Sequence, residues 1–300
     1  MSNAHKEAAR NPAPAGGSAA AKPQAWGGHT SVRVAIAGAG GRMGQALIEA
    51  TLDASDLALA GALEIARSPA IGADAGERCG RSTGIRIVSD IDAVTGVADV
   101  LIDFTRPSGT LIHLAACAKA GVAAVVGTTG FDAAGKTEIA ERARTIPIVF
   151  APSMSVGINV LAGLVEDAAR RLGPSFDIEI VEMHHRHKVD APSGTALRLG
   201  EAAAAGAGVA LGDHAVYARE GVTGERKAGA IGFATLRGGD VVGEHTVIFA
   251  GAGERLELTH RATSRRNFAT GALRAARFVA ARRAGKSVGL FDMADVLGMR

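Results

Sequence analysis

Residues 32–64 constrain the fold more than any other stretch of this 300-residue sequence. Val32-Arg33-Val34-Ala35-Ile36-Ala37 is a short run rich in β-branched residues and reads as a buried strand. Gly38, Gly40, Gly41 and Gly44 follow it. Residues 45–50 then read as helix, and residues 57–63 as a second strand that ends at Glu64. Strand, glycine turn, helix and strand make one βαβ unit, with parallel strands. A glycine turn in that place leaves backbone N–H groups free at a helix start, where a pyrophosphate is held. The spacing departs from G-x-G-x-x-G, because Met43 fills the third slot; Gly38, Gly41 and Gly44 form G-x-x-G-x-x-G instead. Glu64 stands 20 residues past Gly44, where a carboxylate accepts from ribose hydroxyls. A sharp structural turn beside a solvated glutamate is the plainer reading of the same residues.

Strand and helix go on alternating. Residues 100–104, 123–126 and 146–150 read as strands, with helices over 108–120 and 136–144 between them. Such alternation implies a parallel sheet with helices on both faces. Gly127-Thr128-Thr129-Gly130 follows the strand at 123–126, at the sheet edge where ligands bind. The pattern then changes near Ser155. Residues 156–172 form a long apolar helix, 176–180 alternate as a half-exposed strand, and 195–205 read as helix. Residues 231–237, 241–250 and 255–262 look like an antiparallel meander turning at Gly238-Gly239 and at Gly251-Ala252-Gly253. Residues 267–283 are helical again.

Length and composition bound the function. Three hundred residues suit two domains. Aromatics are only 4% of the chain, which disfavours base stacking, and 33 basic against 30 acidic residues give +3 with no dense basic run. No nucleic-acid partner is expected. No apolar run reaches the ~18 residues of a membrane helix, so no membrane partner is expected either. Cys79 and Cys117 lie far apart in no metal or redox spacing and suit a reducing, cytoplasmic setting. Residues 1–30 are rich in Ala, Pro, Gly and Ser and lack the apolar core of a secretory signal; they read as a disordered tail or an upstream start.

The densest chemistry lies in Glu182-Met183-His184-His185-Arg186-His187-Lys188. It follows a strand and leads through Asp190-Ala191-Pro192 to Ser193, a candidate helix cap, with the Gly194 and Thr195 N–H groups facing an anion. Imidazoles, an ammonium and a helix start converging on one place suit a small dicarboxylate, and Lys188 can donate a proton to a developing carbanion. Zinc is a competing reading, but His-His-x-His is a poor tetrahedral spacing, so no metal is expected. A phosphate or nucleic-acid patch and a solvated surface loop compete as well.

At this point the residues resemble a known family. Val34 to Gly44 is similar to the cofactor loop of dihydrodipicolinate reductases, and Glu182 to Ala196 resembles their signature. Ile102-Asp103-Phe104-Thr105, Gly127-Thr128-Thr129-Gly130-Phe131, Gly221 to Arg226 and Ile231-Gly232-Phe233-Ala234 fit as well. The resemblance runs from about Val32 to the end. It implies a Rossmann-type doubly wound parallel sheet over residues 31–155. It further implies a second α+β domain with an open mixed sheet over 156–264, serving substrate binding and oligomerisation. Residues 265–300 would return to the first domain. It also implies a homotetramer, and reduction of 4-hydroxy-tetrahydrodipicolinate to tetrahydrodipicolinate with loss of water, in lysine biosynthesis through diaminopimelate.

Carried over residue by residue, Gly38, Ala39, Gly40, Gly41, Arg42 and Met43 would hold the pyrophosphate of NADH or NADPH, and Glu64 the adenosine ribose. Gly127, Thr128, Thr129, Ala151, Pro152, Ser153 and Met154 would lie at the nicotinamide end. His184 and Lys188 would be catalytic, and His185, Gly194 and Thr195 would bind substrate carboxylates, with a further contact from Arg265. Ile65 stands where relatives that use NADPH carry Arg, which leans the expectation to NADH, and Pro152-Ser153-Met154 departs from the usual run there. Two further readings stand beside this one: a nucleotide-sensing Rossmann regulator without catalysis, and another two-domain dehydrogenase acting on homoserine or aspartate.

Overall fold

The computed structural model describes residues 31–299, so the expectation of a disordered tail over residues 1–30 lies outside the described residues. Residues 31–299 form one compact unit built on two sheets. The chain runs β1 (Val32–Ala37), α1 (Arg42–Asp53), β2 (Leu57–Leu63), β3 (Ile87–Val88), α2 (Ile91–Thr95), β4 (Val100–Asp103), α3 (Pro107–Ala120), β5 (Ala123–Val126), α4 (Ala133–Arg142) and β6 (Pro147–Phe150). It continues through α5 (Val156–Leu172), β7 (Asp177–His184), α6 (Gly194–Ala207), α7 (Leu211–His214), β8 (Ala215–Val216), β9 (Ile231–Arg237), β10 (Gly243–Gly251) and β11 (Glu254–Ala262). It ends with α8 (Arg266–Ala284), β12 (Gly289–Phe291) and α9 (Met293–Leu297).

The first sheet has the order β12-β6-β5-β4-β1-β2-β3, and every pair is parallel. Its strands are apolar without alternation because both faces are covered. Val34, Ile36, Val100, Ile102 and Val125 pack on one face with Leu47 and Ile48 of α1 and Leu273, Ala276 and Val279 of α8. Ala35, Ala37, Leu101, Ala124 and Val126 pack on the other with Leu114 and Cys117 of α3 and Ile139 of α4. The chain returns here at its end: β12 pairs with β6. After β3 the chain crosses to the far side of β1 to form β4, so the winding reverses between β1 and β4. Ligands bind at the carboxyl ends of the strands flanking such a reversal.

The second sheet is mixed, in the order β11-β10-β7-β9-β8. The hairpin β10–β11 is antiparallel as the sequence suggests, but the three-strand meander is not formed. β7 inserts between β9 and β10, parallel to β9 and antiparallel to β10. The turn at Gly238-Gly239 therefore spans the end of β7 rather than closing a hairpin. The Gly238 N–H donates to His184 O (3.0 Å) and the Arg186 N–H to Gly239 O (3.2 Å), which fixes the chain at the start of the histidine run. Burial favours this order. β7 carries its inward residues Ile178 and Ile180 beside Ile231 and Phe233 of β9 and Val247 and Phe249 of β10, all under α5 and α6. A central strand so flanked buries its apolar side chains fully, each worth ~1.5–3 kcal/mol.

Candidate functional site

The glycine loop forms as a close fit of backbone on backbone. Gly38 adopts a φ of +75°, open only to glycine without strain. A Cβ at Gly41 would lie 3.2 Å from Gly38 O, and one at Gly44 only 2.1 Å from the same oxygen. The three glycines spaced three apart are thus the ones that pack together, and Gly40 has another task. Its N–H donates to Glu64 Oε2 (3.0 Å), while Glu64 Oε1 accepts from the Ile65 N–H (2.9 Å). Arg78, which sequence reasoning missed, donates from Nη1 to Gly40 O (2.8 Å). α1 starts at this loop with Gly41 as its N-cap, no side-chain cap and no acidic residue in its first turn. A helix start left uncapped, with its N–H groups toward a cleft, fits an anionic group such as a pyrophosphate.

That cleft has a volume of about 800 Å³. Gly38, Phe104, Thr129, Gly130, Pro152 and Ser153 line it, from the carboxyl ends of β1, β4, β5 and β6. Arg42 and Met43 line it from α1, and His184, His185, Lys188, Gly194 and Thr195 face it from the second sheet and α6. Other candidates do not reach it. Ala39, Ala151 and Met154 are core side chains. The Thr128 hydroxyl is occupied inside the protein, accepting from the Thr105 N–H (3.0 Å) and the Thr110 hydroxyl (2.9 Å). Gly127 lies under the Phe104 ring, 2.2 Å from where its Cβ would sit, so only glycine fits.

The cleft wall at the end of β4 rests on a carboxylate of the Ile102–Thr105 motif to which the sequence reading assigned no role. Asp103, at the end of β4, accepts from His113 Nδ1 (2.7 Å), the Thr105 hydroxyl (2.7 Å) and the Thr105 N–H (2.8 Å). Burial pushes its carboxyl up, but the His113 and Thr105 bonds outweigh this and hold it below the usual range.

The histidine run divides by burial. β7 alternates, placing Ile178, Ile180, Glu182 and His184 on its inward face. Glu182 is 1% exposed and accepts from His184 Nδ1 (2.5 Å) and, bidentately, from Arg237 of β9 (2.8 and 3.0 Å). Burial pushes Glu182 up, yet Arg237 and His184 bring it below its ordinary value. Burial pulls His184 down further than Glu182 raises it, so the ring is neutral near pH 7. His185 is lowered by desolvation and then by Arg265 and Arg42, and its Nδ1 is buried with no hydrogen-bond partner among the described residues. A neutral ring with an unmet nitrogen among Arg42, Arg265, His187 and Lys188 suits an anionic, hydrogen-bonding ligand. Lys188 Nζ donates to both oxygens of Asp190 (2.7 and 2.8 Å).

Ser193 caps α6, its hydroxyl accepting from the Ala196 N–H (3.1 Å). The first-turn N–H groups of Gly194 and Thr195 have no intrahelical acceptor and lie at the cleft wall. Behind Ser193 stands His245 of β10, its Nε2 2.9 Å from the Ser193 hydroxyl, and burial pushes this imidazole down to about 3. No cluster of metal-ligating side chains occurs among the described residues.

Known proteins match this architecture along nearly its whole length. Residues 32–154 match the family model described as dihydrodipicolinate reductase, N-terminus, and residues 157–297 the one described as dihydrodipicolinate reductase, C-terminus. The 4-hydroxy-tetrahydrodipicolinate reductase of Cupriavidus necator is 58% identical over 269 residues, covering 90% of this chain and 100% of the relative. That of Dechloromonas aromatica is 58% identical over 271 residues, with the same shares. Among solved structures, a dipicolinate-bound dihydrodipicolinate reductase from Paenisporosarcina sp. TG-14 shares the fold, with a TM-score of 0.65 at 22% identity over 89% of this chain and 99% of that one. With both halves matched and more than half of the positions identical to such relatives, this chain belongs to the dihydrodipicolinate reductase family.

Proposed function

We propose that the protein reduces 4-hydroxy-tetrahydrodipicolinate to tetrahydrodipicolinate, consuming NAD(P)H and a proton and releasing water. The observation that carries this reading is one cleft with an uncapped helix start and glycine loop at one end, and the His184–Thr195 run at the other. When bound, the nicotinamide supplies the hydride. The chain's own residues do the rest. Gly38 to Met43 bind the pyrophosphate. Glu64 keeps free lone pairs on both oxygens for ribose hydroxyls, since each accepts only one backbone N–H. Gly127 to Thr129 and Ala151 to Met154 shape the nicotinamide end, Ala39, Ala151 and Met154 through their backbone and packing.

The substrate carboxylates are bound by His185, by Arg265 and by the N–H groups of Gly194 and Thr195. Lys188 leaves Asp190 to deliver the proton to the ring carbon beside the one that takes the hydride, and His184 Nε2 exchanges protons with the substrate. Ile65, 57% exposed, offers no charge to a 2′-phosphate, which supports NADH as the preferred donor. The intact run from His184 to Thr195 speaks against a regulator that has lost catalysis.

We also propose the domain limits 31–155, 156–264 and 265–300, supported by the two sheets and the return of α8 and β12. A cytoplasmic homotetramer is the assembly the family resemblance implies. No helix among the described residues is long and apolar enough to cross a membrane.

The deciding assay mixes purified protein, substrate generated fresh by the preceding enzyme, and NADH or NADPH. Loss of nicotinamide absorbance that needs the substrate, faster with NADH, is expected. No substrate-dependent loss with either cofactor overturns the reading. Light scattering tests the assembly, with four chain masses expected.

A further inference from the structure

We propose that Glu182 is the positioning residue of this site: its buried carboxylate fixes His184 as the Nδ1–H tautomer and ties that ring to the start of α6. The proposal rests on the reaction read above and adds to it the group that couples proton transfer at His184 to carboxylate binding at Gly194 and Thr195.

A carboxylate has about four lone-pair positions, and all are taken. Oε2 accepts from His184 Nδ1 (2.5 Å) and Arg237 Nη1 (2.8 Å). Oε1 accepts from Arg237 Nη2 (3.0 Å) and the Ser193 N–H (3.1 Å). The four donors come from three segments: the end of β7, the end of β9 and the cap of α6. Arg237 Nη2 also donates to Asp190 O (2.6 Å), drawing in the loop that carries Lys188. An ionised carboxylate only accepts, so Nδ1 must be the protonated ring nitrogen, and Nε2 keeps its lone pair. The space for Nε2 is reserved by Gly243, where a Cβ would lie 2.9 Å from it. His245 meets the His184 ring edge-on, with centroids 5.0 Å apart, and binds the Ser193 hydroxyl, so the far side of the ring is fixed too. The titratable or charged groups around the pair are Arg237 from β9, His245 from β10 and Lys188 from the loop.

An amide at position 182 keeps the shape and reverses the logic. Its NH₂ would donate to Nδ1 and force the proton to Nε2. The experiment is nitrogen NMR of the histidine rings in the full chain at neutral pH, with the His184 signals identified by their loss in His184→Gln, alongside the steady-state kinetics of Glu182→Gln and Glu182→Asp.

The expected wild-type spectrum has Nδ1 protonated and Nε2 bare. Glu182→Gln should reverse the pattern and lower kcat by ~10²-fold or more, the usual share of a general acid–base group, with KM for the nicotinamide cofactor unchanged. Its pH–rate profile should lose the wild-type histidine limb. Glu182→Asp should restore the tautomer and part of kcat. An Nε2–H tautomer in the wild type, or Glu182→Gln turning over at the wild-type rate, overturns the proposal. The wild-type spectrum decides the tautomer even if the glutamine variant does not fold. A protein with the expected tautomer and no reductase activity would overturn the reading of the reaction while leaving the tautomer assignment standing.

Discussion

Gly44→Ala tests the glycine loop where it is tightest. The new Cβ would lie 2.1 Å from Gly38 O, 2.8 Å from Gly38 C and 2.9 Å from Ala39 Cα. Carbon–oxygen contacts settle near ~3.3 Å, so loop and helix must part by roughly 1 Å. Neither side yields easily: Gly44, Leu47 and Ile48 of α1 are buried, and Ala39 is fully so. Overpacking of this kind costs ~1–3 kcal/mol, and alanine in place of glycine in a helix returns ~0.5–1 kcal/mol. The net is a loss of about 0–2.5 kcal/mol, or up to roughly 10 °C in Tm at this size. A shift of ~1 Å also takes backbone N–H donors out of the ~2.7–3.2 Å range for a bound pyrophosphate. Losing one bond to a charged group costs ~1.5–3 kcal/mol, which is about 10- to 100-fold in cofactor affinity. Calorimetry gives the first number and titration of NADH fluorescence the second. Gly212→Ala is the matched control, since a Cβ there meets nothing within 4 Å. Wild-type Tm and NADH affinity in Gly44→Ala would refute the packing argument.

Single groups elsewhere carry their own expectations. Lys188→Ala should lower kcat by ~10²-fold or more while NADH binds as before; its ion pair with half-exposed Asp190 is worth no more than ~1 kcal/mol to the fold, so melting should barely move. Near-normal turnover removes Lys188 as the proton donor. Buried His245 titrates near 3 when folded and near ~6.5 when unfolded, so the unfolded chain takes its proton first. Stability from this group is complete above ~6.5 and drains as pH falls toward 3; urea midpoints from pH 7 to 4 should fall more steeply in wild type than in His245→Gln, and equal slopes would dismiss it. Asp74 is held down to about 2 by the Thr83 hydroxyl and the Gly76 N–H, so its contribution is present above ~3.9 and is lost as pH drops toward 2. Asp74→Asn should flatten the acid side of a Tm-versus-pH curve below pH ~4, and an unchanged curve would show the turn is indifferent to the charge.

The first sheet was legible because parallel strands buried on two faces leave unbroken apolar runs, as in Val100–Asp103 and Ala123–Val126. Ile87–Val88 and Gly289–Phe291 were missed: two and three residues carry no period. The order of the second sheet was misread because adjacency in sequence suggested that Ile231–Arg237 pairs with the strand after Gly238-Gly239, and nothing local reveals that β7 lies between them. The cleft-facing half of the site was visible in His184, His185, Lys188, Gly194 and Thr195, whose types and spacing announce anion and proton chemistry. Its supports were not. Arg237 and His245 reach the site from distant strands, and sequence distance hides them; Asp103 stands in the Ile102–Thr105 motif, but nothing local shows that His113 and Thr105 bind it beneath the cleft wall. Glu182 alone had a readable signal. Extending the alternation of Ile178 and Ile180 by two more steps puts a glutamate and a histidine on the same buried face, and a buried carboxylate beside a buried imidazole is a paired one.

The return of the chain to its first sheet governs when that sheet can be complete. β12 supplies an edge strand from residues 289–291, and Ala269, Ala272, Leu273, Ala275, Ala276 and Val279 of α8 fill one side of its core. During synthesis the first-sheet half therefore emerges first but leaves part of an apolar face bare until residues 266–291, in the last eighth of the chain, follow. β7 likewise waits for β9 and β10 before the space around His184 exists. Pairings that distant in sequence close late, so the two sheets would mature together, and a chain halted near residue 260 would hold the histidine run beside a first sheet still lacking its edge strand and the α8 side of its core.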